Sequence, residues 1–160
     1  MDIVTETIKS YFESEEWKYD LESDDDNTCH SFYTVFNGRN EKLLFKIKVL
    51  PNSKICQIIC QSETKFSPEH LYGASLAINE YNSYAPLVCG CVSEKGDITF
   101  WLGRNTDGDT FSKEAFAADF DTVFKVTDNE TAQILKRAIQ LTPTETSKGG
   151  TGLFSFFKRK

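Results

Sequence analysis

At 160 residues the chain has the length of one domain and is too short for two well-filled cores, since domains typically run to ~100–150 residues. Hydrophobic residues make up 39%, with 13 Phe, 6 Tyr and 2 Trp, which excludes global disorder. The net charge is −6, and the last four basic residues (Lys148, Lys158, Arg159 and Lys160) have no acidic neighbour after Glu145, so the remainder carries −10, a charge that repels phosphate backbones and argues against a nucleic-acid partner.

The opening Met1-Asp2-Ile3-Val4-Thr5-Glu6 lacks the basic start and apolar run of a signal peptide. No stretch approaches the ~20 apolar residues that span a bilayer. Five cysteines, an odd number, fit free thiols of a reducing compartment better than a disulfide framework. The expected location is the cytosol.

Ile3 to about Trp17 reads as an amphipathic helix, with Val4, Ile8, Tyr11 and Phe12 on one face. The acidic run Asp24-Asp25-Asp26-Asn27 then reads as a solvated loop. Ser31 to Phe36 alternates as a strand, Asn37-Gly38 signals a turn, and Leu43, Phe45, Ile47 and Val49 share the buried face of the next strand while Lys46 and Lys48 face out. Ile55 to Gln61 forms a third strand with apolar residues on both faces. Ser67-Pro68-Glu69 starts a helix whose face is Leu71, Ala74, Ile78 and Tyr81. Strands over Leu87 to Val92 and Asp97 to Leu102 follow, joined at Glu94-Lys95-Gly96. A helical region from about Ser112 to Leu141 closes the series. Phe116, Phe120, Val123 and Phe124 line its first part, and Thr127-x-x-Glu130 predicts a capping box that restarts the helix.

This order predicts an α+β fold over residues 1–141, a five-stranded antiparallel sheet with helices packed on one side. After Thr142-Pro143 the composition changes. Residues 142–152 read as a flexible linker. The tail at 153–160 sets Leu153, Phe154, Phe156 and Phe157 beside Lys158, Arg159 and Lys160, the residues expected to contact a partner. Such a tail gives at most weak, reversible attachment to a membrane surface.

Three phrases carry a family resemblance: Ile8-Lys9-Ser10-Tyr11-Phe12-Glu13-Ser14-Glu15-Glu16-Trp17-Lys18-Tyr19, Leu44-Phe45-Lys46-Ile47-Lys48-Val49, and Asn79-Glu80-Tyr81-Asn82. With the element order, they make residues 1 to about 140 resemble the type III secretion chaperone fold. More particularly, they resemble the YbjN-type family of proposed bacterial sensory-transduction regulators. The resemblance implies a small, often dimeric, protein-binding fold without catalytic residues. It defines no site motif, so no functional position carries over.

The chemistry-bearing residues do not group into a reactive set. Cys56, Cys60, Cys89 and Cys91 lie among Ile, Leu and Val and are expected in the core as small hydrophobes, without the C-x₂-C spacing of a zinc site. His30 and His70 are expected on the surface. Asn105-Thr106-Asp107-Gly108-Asp109 has the alternating oxygens of a calcium loop, but Thr110 replaces the turn glycine and Phe116 the bidentate glutamate, so a polar turn is expected. The resulting expectation is a non-catalytic, cofactor-free interaction module that forms a homodimer and binds a protein partner. Its rivals are a thiol- or metal-dependent sensor using Cys89 and Cys91, and a membrane adaptor acting through the tail. Because residues 149–160 supply no periodic element, deleting them is expected to leave the domain folded with little change in thermal stability, read by thermal denaturation.

Overall fold

A computed structural model describes residues 2–85, 87–107 and 111–143. Helix α1 (Ile3–Ser14) is capped by Asp2, whose Oδ1 accepts from the Val4 and Thr5 amides at 3.0 and 3.1 Å. It ends earlier than its apolar pattern predicts. Glu16 turns into the left-handed region at φ 56°, and the Trp17 amide donates back to the Phe12 carbonyl.

Six strands follow where five were expected. They are β1 (Asp20–Ser23), β2 (His30–Asn37), β3 (Lys42–Leu50), β4 (Ile55–Lys65), β5 (Cys89–Val92) and β6 (Asp97–Asn105). All pairings are antiparallel, in the order β1-β2-β3-β4-β6-β5. The additional strand is β1, four residues with a single apolar member, Leu21, which sequence periodicity cannot register.

Helix α2 (Leu71–Tyr84) lies between β4 and β5, and α3 (Lys113–Leu141) follows β6. The expected start of α2 is displaced. Ser67 and Pro68 open a 3₁₀ turn, Pro68–His70, and the Ser67 hydroxyl donates to Glu69 rather than capping. The expected break in α3 is absent. Thr127 donates its hydroxyl to the Val123 carbonyl one turn back (2.8 Å), and Thr131 does the same to Thr127, so both are satisfied inside a continuous helix. Asp128 reaches instead to the β2–β3 turn, accepting from the Arg39 amide at 2.9 Å.

The helices cover one face of the sheet. Register sets Phe32, Ile47, Ile58 and Leu102 in one inward row, and Thr34, Phe45, Cys60 and Phe100 in the next. Phe120 of α3 stacks on Phe45 with ring centroids 4.4 Å apart, and Phe12 of α1 packs edge-on against Phe32, Phe116 and Phe120. Asp119 forms a bidentate pair with Arg104 of β6, a second tie between α3 and the sheet.

Gly73 fixes the approach of α2 to α3, because a Cβ there would overlap the Ala138 carbonyl oxygen. Gly73→Ala is therefore expected to lower stability by ~1–2 kcal/mol, although alanine favours helix by ~0.8–1 kcal/mol, because overpacking outweighs propensity. Gly103→Ala, where the added Cβ meets nothing closer than 3.8 Å, is the control. Thermal melts of the two variants should differ by several degrees.

Candidate interaction surface

Alternation within each strand sends every second residue to the face away from the helices. Cross-strand register aligns Tyr33, Lys46, Ile59, Trp101 and Cys89 in one row, and Val35, Leu44, Gln61, Thr99 and Cys91 in the next. Val35, Leu44 and Trp101 are 58%, 44% and 39% exposed. The Lys46 ammonium sits 5.0 Å from the centre of the Tyr33 ring, so its charge lies over an aromatic face. Near β1 the surface deepens into a recess of about 460 Å³ lined by Lys18, Asp20, Tyr33, Val35 and Leu44. The apolar outward residues expected in β4 are Ile55 and Ile59, both half-buried here.

Cys89 and Cys91 belong to this outer face and are exposed, which corrects their expected core position. The cause is Gly90. Its backbone is held by Asn82 of α2, which accepts from the Gly90 amide (2.8 Å) and donates to its carbonyl (2.9 Å). An added Cβ at Gly90 would lie 3.1 Å from Ile78, so this position must face α2 and its neighbours must face away. Cys56 and Cys60 are buried as expected, and burial pushes both thiols up to about 12.

Helix packing creates a second apolar surface. Tyr11 and Trp17 of the α1 region, Phe36 of β2, and Ala117, Ala118, Phe120, Asp121 and Phe124 of α3 line a cleft of about 580 Å³. Trp17 crosses Phe36 edge-on at 4.6 Å. Burial, together with the nearby Glu15 and Asp121 carboxylates, raises the Tyr11 hydroxyl above its ordinary value.

His30 is buried, contrary to expectation. Its Nδ1 lies 2.7 Å from Ser23 Oγ and its Nε2 3.4 Å from Asp2. The trio has the residue types of a hydrolytic triad, but the ring keeps 3% exposure and Asp2 is engaged by Val4 and Thr5 as the α1 cap. The contacts tie the start of α1 to β1 and β2. His70 is half-buried, with Nδ1 3.1 Å from the Thr142 hydroxyl. After β6, Asp107 pairs with Lys54 at 2.8 Å and its amide donates to Asn105, while Gly108, Asp109 and Thr110 of the expected polar turn lie outside the described residues. Leu153, Phe154, Phe156, Phe157, Lys158, Arg159 and Lys160 lie outside the described residues, as does the expected linker from residue 144 onward. Among the described residues, no helix is long and apolar enough to cross a membrane.

A six-stranded antiparallel sheet, roofed by helices on one face and uncovered on the other among the described residues, defines an α+β protein. No family model and no curated protein matches the sequence. Among solved structures, YbjN of E. coli, described as a proposed transcription regulator, superposes with a TM-score of 0.56 at 11% identity, covering 80% of this chain and 91% of that one. An uncharacterized protein from Methanothermobacter thermautotrophicus superposes with a TM-score of 0.51 at 17% identity, covering 88% of this chain and all of that one. The chain has the YbjN-type fold.

The burial difference among the thiols predicts a labelling pattern. Cys89 and Cys91 should react with a thiol reagent in folded protein, Cys91 more slowly because burial raises its pKa, whereas Cys56 and Cys60 should react only on unfolding. Peptide mapping of the labelled sites checks this. The same two buried thiols predict an alkaline limit. Their folded pKa values exceed the ordinary value of 9.0, so their contribution is intact below pH ~9 and is lost as pH rises toward about 12. Denaturant melts should show stability falling across that window, with a shallower fall in Cys60→Ala.

Proposed function

We propose that the protein is a non-catalytic interaction module, regulatory or chaperone-like, that works as a homodimer and binds protein through the outer face of its sheet. The observation that carries this reading is the bare face itself. Val35, Leu44 and Trp101 are exposed and adjoin Tyr33 and Ile59, a contiguous apolar and aromatic area of the kind that marks contact surfaces. Aromatic residues at the centre of a surface are the usual energetic anchors of protein association.

The mode of contact follows from the sheet edges. One edge strand is β1, with Asp20 and Glu22, and the other is β5; each has four residues. Short or charged edges discourage strand addition, so association through the face is favoured over extension of the sheet. The YbjN neighbour supports a regulatory role, and the −10 body directs such regulation toward protein contact rather than direct binding to DNA. The chaperone-like form of the same role rests on the resemblance of the sequence to type III secretion chaperones.

Cys89 and Cys91 sustain a second reading, a thiol-responsive surface, because both are exposed on the same face. The raised pKa of Cys91 weighs against it, since a reactive sensor thiol needs a lowered one.

Association is testable with substitutions that leave the core intact. Leu44→Glu combined with Trp101→Glu should convert a particle of twice the chain mass into a single chain by light scattering, with an unchanged far-ultraviolet spectrum. Loss of even one anchor of ~2 kcal/mol should weaken self-association about thirtyfold. A wild-type chain already monomeric at micromolar concentration, or a double variant that still dimerises, would refute the dimer through this face.

A further inference from the structure

The cleft between α1, α3 and β2 is independent of the outer sheet face and has a complementary ligand within the same sequence. Its walls are aromatic, and Tyr11, Trp17, Phe36 and Phe124 are all half-buried, packed on the core with part of each ring left open. Its volume of about 580 Å³ falls in the ~300–1,000 Å³ range of pockets that enclose organic ligands. Its rim is acidic. Asp121 lines it, paired with Lys125 at 2.6 Å, and Glu15 stands close enough to act on the Tyr11 hydroxyl. The carboxyl end of α1 adds partial negative charge, and its last turn contains no basic residue; Lys113 of α3 donates to the Ser14 hydroxyl at 2.7 Å.

Residues 153–160 carry the matching pattern, with Leu153, Phe154, Phe156 and Phe157 followed by Lys158, Arg159 and Lys160. Chain length permits the meeting. From Leu141 back to Phe124 the helix rises ~26 Å at ~1.5 Å per residue. Residues 142–152 span up to ~36 Å when extended, at ~3.3 Å per residue. A segment running back along α3 would bring its aromatics to Phe124, Trp17 and Phe36, and its cations toward Glu15 and the end of α1. We propose that residues 153–160 dock in this cleft on their own chain, making the cleft an internal receptor that an outside partner can occupy only by displacing the tail.

The full chain can be tested directly. In a Trp101→Phe background, Trp17 is the sole tryptophan and reports on the cleft. Phe154→Asp with Phe157→Asp should raise acrylamide quenching of Trp17 at least about twofold without changing the far-ultraviolet spectrum. A photoreactive phenylalanine analogue at position 156 should crosslink to residues 11–17 or 117–124. Mixing isotopically light and heavy chains should show that the crosslinked pairs come from one chain. The proposal stands only if both results appear. Unchanged quenching overturns it. So do crosslinks that join different chains, that map to a second, smaller depression of about 240 Å³ lined by Tyr84, Leu87 and Val126, or that map to the outer face.

Discussion

The stacking of Phe120 on Phe45 fixes how everything else is arranged. It seats a 29-residue helix across the sheet, with Asp119 pairing with Arg104 one position away and Val123 buried one turn later. With α3 in place, α1 packs beside it through Phe12, and α2 closes on it through the side-chain-free surface of Gly73. All three helices thus spend their apolar faces on the same side of the sheet. Among the described residues no element packs on the other side, and its exposed Trp101, Leu44 and Val35 follow from that geometry.

The two apolar surfaces have different origins. The outer face arises from strand parity alone, because residues alternating with buried Phe32, Phe45, Ile58 and Phe100 must point outward. The cleft arises from the crossing of α1 and α3, where Ala117 and Ala118 are too small to fill the space beside Trp17 and Phe124. One is broad and carries Lys46 and Lys48, while the other is concave and rimmed by carboxylates.

Much of this fold was legible in the sequence. The apolar spacing of Val4, Ile8 and Phe12 located α1, and the alternation of Leu43, Phe45, Ile47 and Val49 located β3. Ile55 and Ile59 flagged a strand with two apolar faces, the first sign of the bare side of the sheet. The failures have physical causes. Strand β1 is held by pairing with β2 rather than by burial, so it leaves no hydrophobic period. The Thr127-x-x-Glu130 pattern reads as a cap only if the backbone turns there, and the buried i−4 bond of Thr127 keeps it helical. The apolar run around Cys89 and Cys91 concealed the parity set by Gly90, which depends on Asn82 and Ile78 of a different element. The cleft joins residues 11–17, 36 and 117–124, separations that no local pattern encodes.

The position of α3 after all six strands also bears on the order in which the core is completed during synthesis. At a translation rate of ~5–20 residues per second, synthesis of its 29 residues takes roughly 1.5–6 s. Through that interval β6 has already been made, yet Phe45 lacks the α3 ring that will stack on it. Helices α1 and α2 already shelter Phe32 and Phe100, so the row through Phe45 is the part of the core whose burial waits on the arrival of Phe120.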